Sequence, residues 1–127
     1  MKIGFRLLKI AAMYMVAGLV LGLAMGISSD FSLSSVHSHL LLLGWATMAI
    51  TGFAYILAPA CGQSRLAHLH FWGHNVGLPV MMASLALSIY GVKAAEKTIA
   101  AGSTVVLISL LFFAINLHRN GGGDRAT

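Results

Sequence analysis

Residues 36–59 read VHSHLLLLGWATMAITGFAYILAP, and no charged side chain occurs in them or anywhere between Asp30 and Arg65. About 20 apolar residues cross the hydrocarbon layer of a bilayer as a helix, so the stretch 36–58 is expected to span a membrane. Two histidines, His37 and His39, stand at its start. An ionisable side chain in hydrocarbon is expensive, and imidazole is also the commonest side-chain ligand for heme iron and other transition metals.

The same pattern repeats on both sides. Charges are also missing between Lys9 and Asp30, between Arg65 and Lys93, and between Lys97 and Arg119. Helices are therefore expected at 8–27, 36–58, 69–90 and 98–117. Composition agrees: 58% of the 127 residues are hydrophobic and 9% charged, against roughly 25% charged in soluble domains. The expected fold is all-α, an integral membrane four-helix bundle, with one domain over 1–118 and a polar cytoplasmic tail over 119–127. Because the net charge of +5 sits on short connecting segments, it is not a nucleic-acid footprint. No phosphate loop, nucleophile–base arrangement or carboxylate pair supports hydrolase or nucleotide chemistry.

Charge also orients the chain. Lys2, Arg6 and Lys9 precede the first helix, Arg65 follows the second, and Arg119 and Arg125 follow the fourth. Four crossings put all six on one side and leave Lys93 and Lys97 on the other, beside Glu96. The positive-inside rule then gives a multi-pass protein of a bacterial-type inner membrane with both termini in the cytoplasm. The first helix is too long for the apolar core of a signal peptide and is expected to be retained. Its glycines 18, 22 and 26 form a stripe along which another helix can approach closely. Cys61, the single cysteine, falls in a cytoplasmic connection and allows no intrachain disulfide. Pro59 and Gly62 are expected to end the second helix, and Pro79 to kink the third.

The six histidines divide by depth. His37 and His39 begin the second helix at the outer face. His68, His70 and His74 begin the third at the inner face, where His118 ends the fourth. At 1.5 Å per residue the two groups lie about 30 Å apart, too far to ligate one metal ion. Two residues along a helix turn through about 200°, so His37 and His39 point to opposite sides. Within one protomer they cannot grip both faces of a single heme. Each serves a different heme, or one ligates while the other hydrogen-bonds, or both are interfacial histidines wetted at the headgroups. For the inner group the alternatives are ordinary interfacial or packing histidines and a metal site built from His70, His74 and His118. The methionines read as packing or lipid-facing residues, with Met25 alone at the depth of His37. Trp45 and Trp72 read as packing residues within the apolar runs.

The stretch His37-Ser38-His39 followed by Gly52, Phe53, Tyr55 and Pro59 resembles the tenth transmembrane helix of heme–copper oxidase subunit I, the family of cytochrome c oxidase and nitric oxide reductase. Ala67-His68-Leu69-His70-Phe71-Trp72, with Gly77, resembles the start of that family's eleventh helix. The run ending Phe113-Ala114-Ile115-Asn116 resembles the twelfth, so the likeness covers about residues 36–118, with the first helix in place of the ninth. The resemblance implies a C-terminal four-helix arc of subunit I, heme b as cofactor, His37 as ligand of a high-spin heme and His39 of a low-spin heme. It gives the histidine matching His70 no heme-ligand role. The copper-binding segments are absent: there is no Trp-x-x-x-His-Pro, no tyrosine joined to it and no adjacent His-His pair. Oxygen reduction at a heme–copper centre therefore does not carry over. The three acids, Asp30, Glu96 and Asp124, lie outside the expected spans and build no acidic proton channel.

A single arc lacks a second axial ligand, which closed symmetry supplies. The expected protein is a homo-oligomeric b-type cytochrome, a trimer in preference to a dimer, with His37 of one protomer and His39 of its neighbour on each iron. Its expected role is one-electron transfer with a redox partner or larger respiratory complex. The alternatives are a heme-based sensor or binder of nitric oxide or oxygen, and a non-heme accessory subunit of a respiratory complex.

Overall fold

The computed structural model describes residues 2–122. Four long helices follow one another: α1 (Lys2–Ser28), α2 (Ser34–Leu57), α3 (Arg65–Ile89) and α4 (Ala95–Asn120). A single helical turn, Pro59–Gly62, joins α2 to α3, and no strand occurs among the described residues. Residues 123–127, most of the expected tail, lie outside the described residues; α4 itself runs on through His118 and Arg119 to Asn120. Every helix starts before its expected first residue, α1 most, at Lys2 rather than residue 8, while α2 and α3 end one residue early, at Leu57 and Ile89. Lysine and arginine are good helix formers, so a charge marks the edge of hydrocarbon and not the end of the helix.

Local chemistry sets the breaks. Ser29 takes a left-handed conformation (φ 55°) just past α1, and Gly91 (φ 90°) just past α3. In the connection from α1 to α2 the Ser32 N–H and hydroxyl both donate to Asp30 Oδ1, at 3.0 and 2.7 Å. These bonds hold the exposed Asp30 carboxyl below the usual carboxylate range. Ala58 leaves the helical region (φ −121°, ψ 82°) directly before Pro59, as the residue before a proline tends to do. Ser64 then caps α3 by accepting from the Ala67 N–H at 3.1 Å. Pro79 lies inside α3, which continues through it.

Residues Leu40–Thr47 of α2 form a π-helical segment. The Thr47 hydroxyl donates to the Leu42 carbonyl, five residues back, at 2.8 Å. Nothing in a run of four leucines announces this, and π segments are uncommon enough to mark a place of interest.

The helices pair as two hairpins, α1 with α2 and α3 with α4, and contacts between the pairs are sparser. Both hairpins close on glycines. A Cβ at Gly4 would stand 2.6 Å from the Gly52 carbonyl oxygen, and one at Gly44 would stand 2.6 Å from the Tyr14 ring. A Cβ at Gly102 would meet the Met81 backbone nitrogen at 2.8 Å and the Gly77 carbonyl at 3.0 Å. Of the stripe read in the sequence, Gly18 faces Leu41 and Gly22 faces His37, both in the same chain, while Gly26 meets nothing within 4 Å.

Polarity is inverted relative to a soluble bundle. Fully or almost fully buried side chains include His70, His74, Thr51, Ser84, Ser109 and Asn116, whereas Met13, Ile27, Leu57 and Trp72 are each more than 60% exposed. Polar groups inside and large apolar groups outside suit a hydrocarbon solvent. Three helices, α1, α2 and α4, are long and apolar enough to cross a membrane. Although α3 is 25 residues long, His70, His74 and Asn75 lower its hydropathy; the two histidines are buried, and the Asn75 amide donates to its own helix at Phe71 O, 2.7 Å away.

Candidate functional site

His37 and His39 lie in the first turns of α2, immediately before the π segment. His37 turns toward α1. Its Nδ1 is 2.8 Å from the Gly18 carbonyl oxygen, and its ring rests where a Gly22 side chain would be: a Cβ there would stand 2.7 Å from Cε1. His39 Nδ1 is 2.7 Å from the carbonyl oxygen of Ser35, one turn back in its own helix. A carbonyl only accepts, so Nδ1 carries the proton in both rings, and in the neutral imidazole the lone pair is on Nε2. A backbone carbonyl on the far nitrogen is the usual way a metal-binding histidine is oriented and its tautomer fixed. Both residues are partly exposed. Met25, at a similar depth, is buried at 6% exposure.

The inner group separates into two kinds. His68 and His118 are exposed, and His118 Nδ1 donates to Ala114 O in its own helix at 2.9 Å. His70 and His74 are fully buried, one turn apart, with ring centroids 5.6 Å from each other at an interplanar angle of 82°. His118 does not join them, and no group of three or more His, Cys, Asp or Glu that could hold a metal ion occurs among the described residues. The three-histidine site entertained from hairpin geometry is thus not assembled, because His118 lies on the outward side of α4.

The buried pair joins α3 to α2. His74 Nε2 donates to Leu43 O within the π segment at 3.0 Å, and His70 Nδ1 is 3.1 Å from the Tyr55 hydroxyl. The Tyr55 and His70 rings both pack on Phe113 of α4, with centroids 5.5 and 5.4 Å away. Below them the Asn116 amide donates to Cys61 O at 3.0 Å and the Cys61 thiol lies 3.7 Å from Asn116 O, fastening α4 to the Pro59–Gly62 turn. His70 Nε2 and His74 Nδ1 are buried with no hydrogen-bond partner among the described residues. Tyr55 and Asn116 enter the resemblance as matched positions, but their role as polar fasteners is not readable from it. The signal was present in type only: a tyrosine and an asparagine inside apolar helices need partners.

Removing the Tyr55 hydroxyl tests this fastening. Tyr55→Phe leaves His70 Nδ1 unpaired in the interior and is expected to lower stability by about 1–3 kcal/mol. Thermal unfolding in detergent measures it, and an unchanged midpoint would show that the bond contributes nothing.

No family model matches this chain, and neither a curated protein nor a solved structure matches it.

Proposed function

We propose that the chain is a membrane-bound b-type cytochrome whose heme iron is held between protomers by His37 and His39. The observation that supports this reading is the paired orientation of the two rings: each gives its Nδ1 proton to a backbone carbonyl and keeps an Nε2 lone pair. These residues fit an axial imidazole role. They diverge from one helix, so an iron with two histidine ligands draws them from two chains, and a closed trimer is favoured over a dimer by the resemblance to one arc of heme–copper oxidase subunit I. Heme would supply reversible one-electron chemistry; six-coordinate iron has no open position, which suits electron transfer rather than gas binding. The protein's own contribution is to fix both tautomers and, through Gly22, to make room for the His37 ring.

In this reading α3 is a fourth span, its polar residues turned into the bundle, and both termini are cytoplasmic. Lys2, Arg6, Arg65 and Arg119 lie toward one end of the helices, while Lys93 and Lys97 lie toward the other. A reporter fused after Thr127 is expected to be active only in its cytoplasmic form. Periplasmic activity would reverse the topology and the depth assigned to the histidines.

A pyridine hemochrome assay on purified protein, with spectra of the reduced form taken with and without carbon monoxide, tests the function. Heme b with a low-spin spectrum unmoved by carbon monoxide is the expected result. A shift on adding carbon monoxide would indicate an open site and a binding or sensing role, and absence of heme despite heme supply would remove the reading altogether. Gly22 gives a sharper local test. Leucine at Gly22 drives atoms into the His37 ring and is expected to reproduce the His37→Ala spectrum, whereas leucine at Gly26, which meets nothing within 4 Å, leaves the spectrum unchanged.

A further inference from the structure

At the end of the molecule where α1 begins and α2 turns into α3, a cavity of about 540 Å³ is lined by Lys2, Ile3, Arg6, Gly62, Gln63 and His68. Lys2, Arg6 and His68 are exposed, so their heads are free to meet a ligand in the cavity. No acid of this chain among the described residues balances them: Asp30 and Glu96 both lie at the opposite end of the helices. A cluster of cations with no counter-ion among the described residues draws one from its surroundings. Phe5, next to Arg6 on α1, is 51% exposed. The site therefore presents positive charge and hydrogen-bond donors at the helix ends and bare apolar surface just along the helices.

We propose that this cavity binds the phosphate of an anionic phospholipid, with Lys2 and Arg6 supplying charge, His68 and Gln63 supplying polar contacts, and acyl chains running along the apolar surface of α1 at Phe5. Basic pockets between transmembrane helices on the cytoplasmic side are suited to anionic headgroups. The apolar flank favours a lipid over free phosphate, whose hydration it would not replace. The cavity also bridges the two hairpins, between the first turns of α1 and α3, so a bound headgroup ties them together where their own contacts are sparse.

The test is native mass spectrometry of the full chain in mixed micelles holding equal amounts of phosphatidylglycerol and phosphatidylcholine. The wild type is expected to retain phosphatidylglycerol selectively. The Lys2→Gln, Arg6→Gln double variant is expected to lose about 25-fold of that preference, taking each basic residue near an anionic surface as worth about a fivefold change. Lys2→Arg should retain it, as should Arg119→Gln, which removes a charge outside the cavity. Circular dichroism and gel filtration check the fold of each variant. Equal retention of the two lipids by the wild type, or an unchanged preference in the double variant, overturns the proposal. Displacement of bound phosphatidylglycerol by inorganic phosphate at about the ionic strength of an indifferent chloride control, where chloride does not displace it, would also overturn the lipid assignment and make free phosphate the ligand.

Discussion

Alanine at His39 is expected to remove the Soret band from the purified protein, and alanine at His37 to remove it or convert it to a high-spin form. Both effects follow from the proposed ligation shared between chains, in which losing either ring would leave every iron with at most one protein ligand. His68→Ala and His118→Ala should leave the band intact, since both side chains are exposed at the other end of the helices. Heme loss in an inner-face variant, with His37 and His39 variants unaffected, would place the cofactor at the wrong end for this reading. Shared ligation predicts a further result that a single-chain site does not. Co-expressed His37→Ala and His39→Ala protomers should recover some bis-histidine sites, because each supplies the ring the other lacks. Every such heme crosslinks two subunits, so dissociating the oligomer should release heme or leave it five-coordinate. A six-coordinate heme in a monomer, seen by native mass spectrometry and absorption together, would refute the model.

The second large effect is expected at Gly102. Its backbone lies so close to α3 that even an alanine Cβ would stand 2.8 Å from the Met81 nitrogen and 3.0 Å from the Gly77 carbonyl. Backbone atoms cannot swing aside as a flexible side chain can, so the helices must separate. Gly102→Val adds two methyl groups to that clash. Overpacking of a well-fitted interface costs about 1–3 kcal/mol, occasionally more, and here the cost falls on the more extensive helix pair. The variant should show a clearly lowered unfolding midpoint in detergent, with loss of a single symmetric gel-filtration peak. Gly122→Val, at a glycine with nothing within 4 Å, is the matched control. Wild-type stability in Gly102→Val would mean that α3 and α4 do not approach as described.

The sequence made the helices legible because hydrocarbon length and charge placement are coarse constraints that need no partner to be read. Which histidines face inward was less legible. His68, His70, His74 and His118 are alike in type and similar in depth, and only packing distinguishes the buried His70 and His74 from the other two. The glycines show the same limit. A four-residue recurrence identifies Gly18, Gly22 and Gly26 as one face, but what that face meets depends on a neighbouring helix; two of the three meet α2, and His37 occupies the space at Gly22. The partners of His37 and His39 were hidden for a simpler reason. Gly18 and Ser35 take part through backbone carbonyls, which every residue carries and no residue type announces.

The π segment between the histidines and the lower half of α2 has a consequence for how this helix can change. Each i→i+5 loop encloses one residue more than an α-helical turn, so the segment holds an extra residue between His37 and His39 above and Gly52 and Tyr55 below. Deleting any one of Leu40, Leu41, Leu42 or Leu43 produces the same sequence and lets the segment relax to an ordinary α-helix. The deleted residue is the one the wider turn had taken up, so the upper half keeps its angle to the lower half, and His37 can stay on α1 while Gly52 stays against Gly4. Replacing any one of these leucines with another aliphatic residue leaves that angle alone. The tetraleucine thus carries one residue of slack, which the wider turn takes up without turning one half of the helix against the other.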